Sequence, residues 1–144
     1  MAKKKKKSTV AQEVEKAAKL LQRLVRLKAS DDNGYCQCVT CGKIDHYKNM
    51  QGGHFYSRRH TVFKLFEENI HVQCPACNQW GMKTTKIQEA YRIYMEDLYG
   101  VRRIRAMQRL AWRASPKFNR DKVIAFQRDL NERIQDEVFR IGEY

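Results

Sequence analysis

The chain has 144 residues, 42% of them hydrophobic, and carries a formal net charge of +13 with a sequence pI of about 9.7. That length allows one modest core, and a cationic excess of this size points to a polyanionic partner, most simply nucleic acid. No apolar run approaches the roughly 20 residues that span a bilayer, and no secretory hydrophobic segment follows the first lysines, so a membrane partner is excluded and a cytoplasmic protein is expected.

Lys3 to Lys7 form an unbroken basic run, and residues 1–8 are expected to be a disordered tail free to lie along phosphates. Residues 9–144 are expected to form one domain: an N-terminal helix and turn over 9–34, a metal-bound core over 35–84 and a helical region over 85–144. Thr9 and Gln12 make a capping box, and Val14, Ala17, Ala18, Leu21, Leu24 and Val25 recur at helical spacing to about Leu27. Asp31-Asp32-Asn33-Gly34 is a turn that ends this helix.

Two Cys-x-x-Cys pairs follow, Cys38/Cys41 and Cys74/Cys77. Four thiolates in two knuckles suit the tetrahedral, soft-ligand demand of Zn²⁺, and cysteine used this way fits a reducing compartment. Cys36 is left over. Between the pairs, Tyr47 to Phe55 reads as a strand and its turn around Gly52-Gly53, and Ile70 to Gln73 as the return strand. The second knuckle is expected to open a helix beginning near Asn78.

From Thr84 the pattern is helical, with Ile87, Ala90, Tyr91, Tyr94 and Leu98 on one stripe stopped near Gly100. Val101 to Ala114 forms the next helix, with Ile104, Met107, Leu110 and Ala111 inward and Arg105, Arg109 and Arg113 on one outer face. Ser115-Pro116 breaks it, Asn119 caps a last helix, and Val123, Phe126, Leu130, Ile134, Val138 and Ile141 stripe that helix. The fold class is therefore α+β: a small zinc-clamped ββα element with an N-terminal helix and a C-terminal helical region. The last stripe is long enough to pack on its own chain or on a second copy, and a homodimer is expected.

Phosphodiester cleavage needs a base for water, a cation at the phosphate and groups that hold the phosphate. His54 follows two glycines and is the residue type whose pKa suits a base. Asn69 opens the return strand, where its side chain would hold a loop, and Asn78 follows the second knuckle with a hard oxygen of the kind Mg²⁺ accepts. Arg58 and Arg59 follow the base closely enough to grip phosphate, and the Arg105/Arg109/Arg113 face would track a DNA backbone.

A His, an Asn fifteen residues on and a second Asn nine residues later, framed by Cys-x-x-Cys pairs, resemble the HNH nucleases of the ββα-metal (His-Me finger) superfamily. Gly-His-Phe-x-Ser-Arg, Glu-Asn-x-His-x-Gln-Cys-x-x-Cys-Asn and Leu-x-Arg-Leu-Val-Arg-Leu-Lys more narrowly resemble the phage NinG (Rap) recombination proteins, over roughly residues 20 to 100. The resemblance implies a phage enzyme of the bacterial cytoplasm that cleaves branched DNA such as Holliday junctions or D-loops with a divalent ion. His54 would be the general base, Asn69 the loop-orienting residue, Asn78 the Mg²⁺ or Mn²⁺ ligand, and Cys38, Cys41, Cys74 and Cys77 the holders of structural zinc. Many HNH enzymes place an Asp just before the base as a second metal ligand; here that position is Gly53. Asp45, His46, His71, Glu67 and Glu68 are the candidates to replace it. The other readings are a sequence-reading HNH nicking or restriction enzyme and a non-catalytic zinc-stabilised DNA-binding module.

Overall fold

The computed structural model describes residues 6–113 and 116–143. Lys3 to Lys5 of the basic run, and Ala114 and Ser115, lie outside the described residues; Lys6 and Lys7 are exposed. The chain is α+β, five helices and two small antiparallel sheets among the described residues.

Helix α1 spans Val10–Lys28. Thr9 and Gln12 close the capping box, the Thr9 hydroxyl accepting from the Gln12 amide and the Gln12 side chain accepting from Thr9 N–H at 2.9 Å. Its apolar stripe is buried as expected, and so is Glu13. Strands β1 (Tyr35–Gln37) and β2 (Ile44–His46) form a hairpin that sequence pattern did not suggest, because three-residue strands carry no readable alternation. Strands β3 (Gln51–His54) and β4 (Ile70–Gln73) form the expected pair, with Gln51 opposite Gln73 and His54 opposite Ile70.

Three expectations change here. Tyr47–Asn49 is a 3-10 turn, so the strand starts only at Gln51. Gly52 and Gly53, expected in the turn, lie inside β3, both buried. They are glycines because the neighbours are too close: a Cβ on Gly52 would come within 2.9 Å of Gln22 of α1. The helix after the second knuckle, α2, runs Pro75–Gln79 with Cys74 as its N-cap, so Asn78 sits within the helix and not at its start.

Helix α3 spans Thr85–Tyr99 and α4 spans Val101–Ala111, divided at Gly100 with φ +82°. Met95, not Leu98, completes the buried face of α3; Leu98 is exposed. Helix α5 covers Arg120–Arg140, with the Asn119 side chain accepting from Lys122 N–H. It packs along α1, so its stripe is used within this chain.

A small apolar cluster of Val14, Ala17 and Val123 joins α1 to α5, and two larger ones position the rest. One joins Leu21, Leu24 and Leu27 of α1, Met50, Ile70 and Val72 of the hairpin region, and Leu130 and Ile134 of α5. The other joins Phe63, Tyr91, Met95, Ile104 and Met107 beneath α3 and α4. Arg26 ties α1 to the start of β3, donating from one guanidinium nitrogen to the carbonyls of Tyr47 and Met50, each at 3.0 Å.

Candidate metal centre and adjoining cavity

Cys38, Cys41, Cys74 and Cys77 converge, their sulfurs all within 4.8 Å of one another. Cys41 and Cys74 Sγ are 3.7 Å apart, close to the roughly 3.8 Å edge of a tetrahedron with 2.3 Å Zn–S bonds. Backbone bonds shape the first knuckle: Cys38 N–H donates to Lys43 O at 2.8 Å and Gly42 N–H to Cys38 O at 2.9 Å. Gly42 takes φ +80°, which an L side chain rarely adopts. Val39 N–H donates to Val72 O at 2.9 Å and so fastens this knuckle to β4. The Thr40 hydroxyl is 3.3 Å from Cys38 Sγ and accepts from Gln73 Nε2 at 3.2 Å.

The thiols are poised unequally. Burial acts to raise Cys38, but hydrogen bonds from Thr40 and from the backbone of Cys74 and Cys41 outweigh it and bring it down to about 6. Burial pushes Cys77 up to about 12. All five cysteines are free thiols, and the four-sulfur cluster could hold a metal ion such as zinc. Cys36 lies apart in the core, its thiol raised by burial.

On the other side of β3 is a cavity of about 720 Å³ that brings His54, Asn78 and Arg58 together. His54 Nε2 is buried and has no hydrogen-bond partner among the described residues. Burial lowers the imidazole to about 4, a backbone hydrogen bond with Lys64 opposing and the Arg58 charge assisting, so the ring is neutral at pH 7. Asn78 Nδ2 donates to Gln51 Oε1 at 2.8 Å, which leaves its carbonyl oxygen without a partner among the described residues.

Asn69 is fully buried and clamps the loop that follows His54. Its Oδ1 accepts from Tyr56 N–H at 2.8 Å, its Nδ2 donates to Tyr56 O at 2.9 Å, and its own carbonyl accepts from Phe55 N–H at 2.9 Å. The Tyr91 hydroxyl donates to Gly53 O at 2.6 Å and holds the strand just before His54.

The five candidates for a second metal ligand all lie outside this cavity. Asp45 accepts from Asn49 and His46 N–H, and its carboxyl is lowered by those bonds. His46 is half-buried and 3.3 Å from Glu143. Glu67 pairs with Lys28 and Arg133, and Glu68 with Arg103. His71 sits among tyrosines, Nε2 3.0 Å from Tyr99 Oη and Nδ1 3.3 Å from Tyr91 Oη, its pKa lowered to about 4 by burial. That histidine borders a separate cavity of about 580 Å³ with Tyr94 and Tyr99.

The far wall of the His54 cavity comes from residues that sequence reasoning passed over: Thr85, Gln88, Glu89 and Arg92 of α3. Their i, i+3, i+4, i+7 spacing opposite Tyr91 and Met95 was the available signal. Arg58 donates from one guanidinium nitrogen to both Glu15 carboxylate oxygens, at 2.8 and 2.9 Å, and Arg92 is held by Glu89 and Glu96. Arg59 is exposed, and Arg105, Arg109 and Arg113 are exposed with no carboxylate partner among the described residues.

A family model described as bacteriophage lambda NinG protein matches residues 1–137. The chain belongs to the NinG family. The match extends well beyond the roughly 20–100 over which the motifs were read and takes in α4 and nearly all of α5. No curated protein and no solved structure gave a match. Among the described residues no helix is long and apolar enough to cross a membrane.

Proposed function

We propose that this NinG-family protein is a metal-dependent endonuclease of the HNH type that cleaves branched DNA, acting in the cytoplasm of a bacterial host. The observation that carries the reading is the cavity shared by His54, Asn78 and Arg58, one of whose lining residues, Tyr56, is held by the Asn69 clamp. The reading draws support from chain order: β3, two 3-10 turns, β4 and α2, with His54 ending β3, Asn69 just before β4 and Asn78 in α2. Zinc on the four cysteines would hold the first knuckle, β4 and α2 in one frame.

His54, neutral at pH 7, accepts the proton of the attacking water as the new P–O bond forms and the bridging P–O bond breaks. Arg58 and Arg92 exchange their carboxylate partners for phosphate oxygens and hold the developing charge. Asn78 Oδ1 is the group that would hold Mg²⁺ or Mn²⁺, which when bound stabilises the negative phosphate and leaving oxygen. Glu89 is the cavity carboxylate nearest in chemistry to the missing Asp. The exposed Arg105, Arg109 and Arg113 face binds backbone phosphates and carries no base information.

The test is cleavage of a labelled four-way junction and of matching linear duplex in EDTA, Mg²⁺ or Mn²⁺, with His54→Ala beside the wild type. Metal-dependent cuts near the branch, reduced about 10²–10⁴-fold in the variant, support the reading. Wild-type cleavage by folded, zinc-loaded His54→Ala overturns the assignment. Cuts at one motif on both substrates indicate a sequence-reading enzyme instead. The second reading, a zinc-built DNA-binding module without catalysis, draws on the lack of space for a side chain at Gly53, and it predicts salt-sensitive binding with no cuts in any metal.

A further inference from the structure

Both tryptophans of this chain stand on the surface, Trp80 at 67% and Trp112 at 84% exposure, whereas Phe63 and Tyr91 are fully buried. An indole has more apolar area to hide than any other side chain, and leaving it in water forgoes that gain. Trp80 is placed with unusual definition. It is the C-cap of α2, its N–H donating to Ala76 O at 3.1 Å, and its carbonyl accepts from Lys83 N–H at 3.1 Å. The Gly81–Lys83 turn that follows is pressed against α3, since a Cβ on Gly81 would come within 2.9 Å of Ile87. Asn78 two residues before and Met82 two residues after both line the His54 cavity. The indole thus stands on a turn held on both sides, two residues along the chain from cavity-lining residues in either direction but not itself lining the cavity. Lys83 Nζ lies 5.7 Å from the indole centroid, a cation beside a π-face.

We propose that Trp80 is a stacking platform for an unpaired nucleotide of the DNA strand whose phosphate enters the His54 cavity, with Lys83 on a neighbouring phosphate. This rests on the nucleic-acid reading above. Every base offers a π-face, so an exposed indole recognises unpaired DNA without reading its sequence. Bases within an intact duplex are already stacked on one another and would have to be unpaired first. Branch points supply unpaired bases at no such cost, so Trp80 would give the cavity its preference for branches. A net charge of +13 and the ammonium at the ring favour a polyanion; an apolar protein partner would strip water from Lys83 without replacing it.

Trp112→Phe leaves Trp80 as the sole tryptophan and makes its fluorescence a direct reporter. The zinc-loaded full chain, with no added Mg²⁺ or Mn²⁺, is titrated with an eight-residue oligothymidylate and with a blunt duplex, binding being followed in parallel by anisotropy of labelled DNA. The expected result is quenching of Trp80 by the oligothymidylate and not by the duplex. Trp80→Ala should weaken oligothymidylate binding roughly 5- to 100-fold, the worth of one stacked base, and duplex binding less than about twofold, with Trp80→Phe retaining most of the affinity. Unchanged emission at anisotropy saturation, or equal losses on both DNAs, overturns the platform. Because no catalytic ion is present, absence of cleavage elsewhere leaves this result standing, and failure of both DNAs to bind overturns the nucleic-acid reading itself.

Discussion

Gln73 occupies the place that a side chain on Gly53 would need. A Cβ on Gly53 would fall 1.9 Å from Gln73 Oε1 and 2.7 Å from its Cδ, and Gln73 is fully buried, its Oε1 without a hydrogen-bond partner among the described residues. The absence of an Asp before His54 is thus built into the packing between the knuckle side of the sheet and β3. Gly53→Ala should cost about 1–3 kcal/mol in urea unfolding through overpacking. The Gly53→Ala/Gln73→Ala double variant should recover part of that loss, and strictly additive effects would show that the two positions do not press on each other.

Asn69 makes both of its side-chain bonds to the backbone of Tyr56. Asn69→Ala leaves a buried N–H and carbonyl unpaired and should destabilise by roughly 2–4 kcal/mol. Since the same bonds position the loop after His54, cleavage measured on folded variant should fall further than DNA affinity. Equal losses in both would assign Asn69 to stability alone.

Four converging sulfurs predict one bound zinc per chain, read by elemental analysis of the purified protein. Cys74→Ser should remove it, because Cys74 is one of the four converging thiols and also the N-cap of α2. The thermal midpoint should drop by more than 10 °C, since binding free energy of a structural zinc is folding free energy. Full zinc occupancy in that variant would move the site elsewhere.

His71 is held neutral among Tyr91, Tyr94 and Tyr99, with the charges of Glu67 and Glu68 opposing the effect of burial. Its folded pKa of about 4 lies below the unfolded 6.5, so the unfolded chain binds more protons between those values. The stability it contributes is complete above about pH 6.5 and is lost as pH falls through about 4, an amount of order 3 kcal/mol. His71→Gln should flatten that part of the stability–pH curve. An unchanged slope would mean that the ring protonates without penalty.

Arg105, Arg109 and Arg113 predict additive phosphate contacts. Each Arg→Gln change should reduce the slope of log affinity against log salt by about 0.9, with no change in preference between DNA sequences. Slopes equal to wild type would return this face to solvent.

The capping box at Thr9, the stripes on α1 and α5, the stop at Gly100 and the cluster of four cysteines were legible because each is a local pattern: a period, a cap, a pair of knuckles. The composition alone likewise set the net charge of +13. What tertiary packing decided is who meets whom. Gly52 and Gly53 read as a turn in sequence, yet they are strand residues kept small by Gln22 and Gln73, contacts that come from distant segments. His71, three positions from Cys74, went to a tyrosine cluster, and the wall facing His54 came from α3 through Glu89 and Arg92. Periodicity tells which face of an element is apolar. It does not tell which polar side chains of separate elements share one cavity, because that depends on how the apolar faces dock, and docking is a property of the whole core.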